Sequence, residues 1–368
     1  MKSLFVFFFI LILAACQSVK VQKLSDGKQY KEPSLIYALP YQQLVITIDA
    51  VEKTELVGPF SEFSEQFLEI KPEIIETSTK WEIENVIIST VSKVDTSNLY
   101  KITGDIKKIK PENFQWLTST FGSDQSFVYP QDKWLEASDQ EPYFEELTLK
   151  KMIIEESETS FKMVTVDSVS KKIPIVNKVI RNKTYEEMAK DAAKTLTKIR
   201  KRKFRLISGM NDKLPKEDAL KVMLEELDKK EKAYEALFFG KVVYKHFRKV
   251  LQVEPFNLGA YNIVFFNESY GFSEDAKKSF YPIVLKLQNA NNGTVAVDTI
   301  KRFSEKMIPF VVPATINVSI SDKQKVIYES NITLSQFGLN MAMPAKYLFK
   351  QNWIIDTRTG QFKGFKND

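Results

Sequence analysis

The stretch TYEEMAKDAAKTLTKIRKRKFRLISGMNDKLPKEDALKVMLEELDKKEKAYEALFFG, Thr184 to Gly240, carries two long helical patterns back to back. Thr184 is placed to cap the first, with Glu187 three residues on at capping-box spacing. Tyr185, Met188, Ala189, Ala192, Leu196 and Ile199 then recur every three or four residues as one apolar stripe, which Leu206 and Ile207 end before Ser208-Gly209. After a short connection, Pro215 suits a first turn, and Glu217 and Asp218 suit a helix N-terminus, where the dipole favours negative charge. Leu220, Met223, Leu224, Leu227, Tyr234, Leu237 and Phe238 form the second stripe, and Gly240 stops it. Two stripes of similar length on a short connection predict an antiparallel helical pair.

Working outward, the pattern turns to strands on both sides. Upstream, Leu44, Ile46, Ile48 and Ala50 alternate with Val45, Thr47 and Asp49, as in a half-buried strand. Pro59 to Leu68, with Phe60, Phe63 and Phe67 on one face, reads as a short helix. Trp81–Val94 and Leu99–Ile102 read as two more strands, and 161–166 with 173–180 as a further two. Downstream, Lys241–Val253 and Tyr261–Phe266 are strands, residues 316–334 make a hairpin around a turn at Ser321–Gln324, and Trp353–Ile355 and Phe362 flank a last turn. The expected fold is α+β: two β-rich domains, each a sheet or sandwich, with a long antiparallel helical hairpin between them. The division is signal peptide 1–15, lipidated tether 16–33, N-terminal β-rich domain 34–182, helical hairpin 183–240 and C-terminal β-rich domain 241–368.

Lys2 followed by the apolar run Leu4–Leu13 reads as an export signal. Ten residues rise only about 15 Å as a helix, half of a ~30 Å hydrocarbon core, too short to span it. Leu13-Ala14-Ala15-Cys16 resembles the lipobox of bacterial lipoproteins, which implies a lipid on Cys16 and attachment to the membrane through it. The lipobox resemblance implies an address at the bacterial outer membrane, and because residues 17–22 lack the early acidic cluster associated with surface-exported lipoproteins, the expected side is the periplasm in preference to the surface.

Cys16 is the only cysteine and His246 the only histidine of 368 residues. An intrachain disulfide, a thiolate nucleophile in the mature chain and a metal site of clustered thiolates or imidazoles are excluded by count. His246 sits among Lys245, Arg248 and Lys249 in a strand pattern, and no Gly-X-Ser-X-Gly motif accompanies it, so a surface or strand role is expected in preference to a catalytic one. No phosphate-binding glycine loop or calcium loop is present, so no cofactor and no metal is expected. Glycoside hydrolysis needs only two carboxylates at suitable spacing, and Glu141, Glu145 and Glu146 stand beside aromatics without being singled out by any pattern.

Two features point to binding. Trp116, Phe121, Phe127, Tyr129, Trp134, Tyr143 and Phe144 make 116–144 about twice as aromatic as the chain's 12%. Exposed, Trp116, Trp134, Tyr143 and Phe144 would form a sugar-stacking platform or a protein contact, and buried, they would pin a long loop. The run Lys198–Arg205 offers Arg200, Lys201, Arg202, Lys203 and Arg205 as an interaction surface. An exported address argues against nucleic acid, and both the helix C-terminal position and the acidic partner helix (Glu225, Glu226, Asp228, Glu231) give those cations structural work. Net charge is +6 on 53 basic and 47 acidic residues, too even to demand a polyanion.

Tyr37-Ala38-Leu39-Pro40, Gly58-Pro59-Phe60, Trp81-Glu82-Ile83, Ile199-Arg200 to Gly209, Leu224 to Gly240 and Gln336-Phe337-Gly338 together resemble a Bacteroidota family catalogued as domain of unknown function 4831. The resemblance covers nearly the whole mature chain and implies an envelope address without assigning any functional residue. The expected function is a non-enzymatic envelope lipoprotein that binds or assembles with a protein partner. The alternative is a glycan-binding or glycan-processing lipoprotein using the aromatic segment.

Overall fold

The computed structural model describes residues 19–24, 33–119, 128–135, 144, 153–166, 169–210, 216–277, 279–290 and 304–366. In chain order the elements are β1 (Val19–Lys23), β2 (Ser34–Leu56), α1 (Ser64–Leu68), β3 (Ser78–Gly104), α2 (Pro111–Ser119), β4 (Lys133–Trp134), β5 (Ile153–Val166) and β6 (Val169–Asn182). There follow α3 (Tyr185–Ile207), α4 (Glu217–Phe239), β7 (Lys241–Val253), β8 (Gly259–Asn267), β9 (Gly271–Ser273) and β10 (Tyr281–Asn289). The chain closes with β11 (Met307–Asp322), β12 (Lys325–Pro344), α5 (Tyr347–Lys350), β13 (Trp353–Asp356) and β14 (Gln361–Phe365). The protein is β-rich, of the α+β class, with several sheets. Among the described residues no helix is long and apolar enough to cross a membrane.

One sheet orders its strands β1-β3-β2-β7-β4. A second runs β13-β14-β11-β10-β8-β9, with β12 also paired to β11, and β5 and β6 form a sheet of their own. Compact packing divides the chain into two units built from interleaved segments. The first comprises Met1–Ala50, Ile83–Lys133 and Phe247–Asp368, and the second Val51–Glu82 and Trp134–His246.

In the first unit, Tyr37, Leu39, Ile102, Leu117, Ile308 and Leu348 are core residues. Leu44, Val45, Ile46, Ile48 and Ala50 are all buried, so β2 is covered on both faces here, not on one as its alternation suggests. The stretch read as two strands between Trp81 and Ile102 is one continuous 27-residue β3. α2 is a helix that the strand-and-loop reading of this region does not include. Pro111 starts it, and Asn113, Trp116 and Leu117, at i, i+3 and i+4, are its buried face. Asn113 fastens that face by donating to the carbonyls of Leu348 (3.0 Å) and Gln351 (2.8 Å) and accepting from the Trp353 N–H (2.8 Å).

The Tyr37 and Tyr100 rings stack 5.4 Å apart in this core. Burial, and then Tyr100, push the Tyr37 hydroxyl well above its ordinary value; burial, and then Asp95, push Tyr100 up to about 12. A raised folded-state value means that this contribution is complete below the unfolded value of 10.0 and is lost as pH climbs toward 12. Urea midpoints are therefore expected to fall between pH 10 and 12, and Tyr100→Phe is expected to flatten that fall. An unchanged slope in Tyr100→Phe would contradict the assignment.

The second unit is built on α3 and α4. Thr184 caps α3 as read: its side chain accepts from the Glu187 N–H (3.2 Å) while the Glu187 carboxylate accepts from the Thr184 N–H (2.8 Å). Arg181, and then the capping contact, hold Glu187 down at about 2. Arg200 meets Glu231 (3.0 Å) and Glu235 (2.5 Å), and Lys203 meets Glu231 (2.9 Å) and Asp228, so the helices run antiparallel. Ala189, Ala192, Leu196, Leu237 and Phe238 form the core with Phe60. The small alanines of α3 let α1 and α4 pack closely on it.

Candidate functional site

The first unit contains a cleft of about 660 Å³, in the range typical of small-ligand sites. It is created by an irregularity in the β11–β12 ladder. Val312 pairs with Leu339 and Ala314 with Leu334, so β12 spends five residue steps where β11 spends two. Ser335, Gln336, Phe337 and Gly338 lie opposite Pro313 alone as an enlarged bulge and line the cleft.

The bulge is held by paired glutamines. The Gln42 N–H donates to Gln336 Oε1 (3.1 Å), and Gln336 Nε2 donates back to the Gln42 carbonyl (2.8 Å) and to that of Pro255 (3.1 Å). Buried Gln42 also accepts the Ser335 N–H at Oε1 and donates through Nε2 to the Arg358 carbonyl (2.6 Å). Ser335 Oγ donates to the Thr359 carbonyl (2.6 Å), and Ser92 Oγ to that of Arg358 (2.6 Å). Gln43 Nε2 donates to Glu254 (3.1 Å), while its oxygen accepts from the Tyr129 hydroxyl (3.0 Å). A polar network completed in this way is rigid, because every alternative leaves a buried group unpaired.

Above this base stand aromatic and amide side chains. The rings of Tyr41 and Phe256 lie 5.4 Å apart, tilted at 43°, and Phe256 is 57% exposed. Phe337, Leu258, Asn98, Asn257 and Asn340 also line the cleft. The side-chain amides of Asn257 and Asn340 have no protein partner among the described residues. Asp95 is the one charged lining residue, and its oxygens are already engaged by Ser97 N (2.9 Å), Ser97 Oγ (2.5 Å) and Asn98 Nδ2 (2.6 Å). In a chain with 53 basic residues, none lines this cleft.

The expected aromatic platform is placed otherwise. Trp116 is buried in the first unit's core, 5.9 Å from Tyr37 and 6.0 Å from Trp353, and presents no face to a ligand. The reason is α2, whose register turns Trp116 inward. Trp134, in β4, is half-exposed and leans on Trp81 at 5.6 Å. Phe144 is half-buried against the second unit's core, with Lys241 Nζ 5.1 Å from its ring. Tyr143, Glu141, Glu145, Glu146 and the lipidation residue Cys16 lie outside the described residues. His246 is half-buried in mid-β7, its carbonyl accepting from the Leu135 N–H (2.8 Å).

The basic run splits in two. Arg200 and Lys203 are engaged by α4, where Glu235 joins the acidic residues the sequence singled out, and Lys203 lowers the Glu231 carboxyl. Lys201, Arg202 and Arg205 are exposed, with no ion partner among the described residues. The cleft residues were missed in the sequence reading. Its Gln336-Phe337-Gly338 landmark marked the spot, but Gln42, its partner 294 positions away, gives no local signal.

A family model described as Domain of unknown function (DUF4831) matches residues 34–115 and 145–363. No curated protein and no solved structure matches the chain.

Proposed function

This chain belongs to the DUF4831 family, and from that premise we propose a lipid-anchored envelope lipoprotein that acts as a non-enzymatic binding module, taking its ligand in the first unit's cleft. The supporting observation is the lining: aromatic faces and unengaged amides on a hydrogen-bonded base, with no cation and with its one carboxylate already occupied. Rigid walls lower the ordering cost of binding. The anchor is Cys16, whose surroundings resemble a lipobox, and the address is the outer membrane with the fold facing the periplasm.

The ligand class that best suits the lining is an uncharged saccharide. An amide supplies donors and an acceptor to match sugar hydroxyls, and an exposed ring such as Phe256 covers an apolar sugar face. Anionic glycans find no counter-charge there. The second binding surface is the outer side of α3, where Lys201, Arg202 and Arg205 are available to an acidic protein partner.

Full-length protein is expected to give signals on an array of neutral glycans, with Phe256→Ala and Asn340→Ala each weakening them about tenfold and Trp134→Ala leaving them intact. Signals indifferent to Phe256 and Asn340, or confined to acidic glycans, would sink the saccharide reading.

A further inference from the structure

β5 and β6 are each 14 residues long and form a two-stranded sheet with no third strand among the described residues. At ~3.4 Å per residue such a ribbon is about 45 Å long. A lone two-stranded hairpin is marginal in water, and stability of its own takes three or more strands with an apolar face. This ribbon nonetheless exposes apolar side chains on both sides. Phe161 (63%), Met163, Val176 and Ile180 (67%) lie on one face and Ile173, Ile175 and Val179 on the other. Its two edges differ. β6 contains Pro174, which has no N–H to give a ladder, whereas β5 has no proline and offers a full row of backbone groups.

The charges along β5 are self-complementary. Arg181 engages Glu156 (2.9 and 2.5 Å), and Lys178 stands 3.7 Å from Glu155. Glu158 and Lys162 have no ion partner among the described residues, and they flank Ser160 at equal distance on the same face.

We propose that this ribbon is a dimerisation arm whose β5 pairs antiparallel with β5 of a second copy of this chain, in a register centred on Ser160. A two-fold axis there sets Glu158 opposite Lys162 of the partner subunit, and Lys162 opposite Glu158 of the partner subunit. No like charges face each other in this register, and cross-strand pairs of opposite charge stabilise a sheet. A register centred on Thr159 would set Glu156 against Lys162 of the partner subunit and draw it from its Arg181 fork. The two ribbons become one four-stranded sheet, β6-β5-β5-β6. The interface is isologous and therefore closes at two copies. The inference rests on neither the cleft nor the lipid anchor.

The test uses full-length protein in detergent. Ser160→Cys is expected to give a disulfide-linked dimer on a non-reducing gel. Ser157→Cys, whose two copies lie six residues apart in this register, or about 20 Å, is expected to give none beyond the parent chain with its Cys16. Light scattering is expected to report a dimer whose dissociation constant rises roughly tenfold in Glu158→Lys and in Lys162→Glu, from two like-charge pairs in each case, and recovers when both are present. A monomeric parent chain, equal cross-linking at 157 and 160, or a double variant no tighter than the singles would each overturn the arm.

Discussion

Gly338→Ala is expected to destabilise the first unit by ~3 kcal/mol or more, the upper range for overpacking against backbone, and to abolish ligand binding in the cleft. A methyl group at Gly338 would overlap the Val312 carbonyl oxygen and come within 2.7 Å of Pro313 Cα, and neither atom is the end of a flexible side chain. The ladder must open at the point where β12 folds outward, and the Gln42–Gln336 hydrogen bonds depend on that fold. Gly209→Ala is the contrasting variant. Its φ of +72° favours glycine, but nothing lies within 4 Å, so only backbone strain of about 1–2 kcal/mol is expected. Urea denaturation followed by tryptophan fluorescence measures both. A Gly338→Ala protein no less stable than Gly209→Ala would show that the bulge does not hold β11 as described.

Phe238→Ala is expected to cost about 3–5 kcal/mol, the usual range for a fully buried phenylalanine truncated in a packed core. Its ring is 0% exposed and lies 5.7 Å from that of Phe60. The segment cannot simply close the gap, because its backbone is fixed on both sides. The Phe60 N–H donates to the Leu237 carbonyl at 2.7 Å, and a methyl on Gly58 would meet that oxygen at 2.6 Å. Gly240 ends α4 at φ +81°. The cavity is therefore expected to persist, and the fluorescence midpoint in urea should fall more for Phe238→Ala than for Phe63→Ala, whose ring is only partly buried. A loss under 1 kcal/mol would mean that the Gly58–Phe60 segment closes onto α4 after all.

The α-helical pair was legible because its signals are local. The capping box at Thr184, the three-and-four spacing and the stop at Gly240 all act within a turn or two. Strands β7, β8 and β11–β12 were legible from alternation and turn residues for the same reason. Joining of two stretches into the long β3 was not, since Asp95, Thr96 and Ser97 look like a turn but Asp95 folds its side chain onto Ser97 and Asn98 without breaking the strand. α2 offered a readable signal in Pro111 and the spacing of Asn113, Trp116 and Leu117, overshadowed by the aromatic count. Compact packing divides the chain inside strands, after Ala50, Glu82 and His246, where no local signal falls. No composition shift marks a boundary within a continuous strand. The cleft depends on pairs such as Gln42 with Gln336, and one sequence carries no record of which distant residues meet.

The interleaved segments also set an order of assembly in time. Every strand-forming residue of the second unit lies between Val51 and His246, so that unit can close without the last third of the chain. The first unit cannot: the Val21 N–H donates to the Glu305 carbonyl (2.7 Å), and Gln42 waits for Gln336. The Gln42–Gln336 pair spans 294 positions, whereas β3 and β7, the neighbours of β2 in its own sheet, come sooner along the chain. Folding of the first unit is thus a long-range step that needs both ends of the chain, and loss of the segment after Glu305 would leave it without its closing contacts.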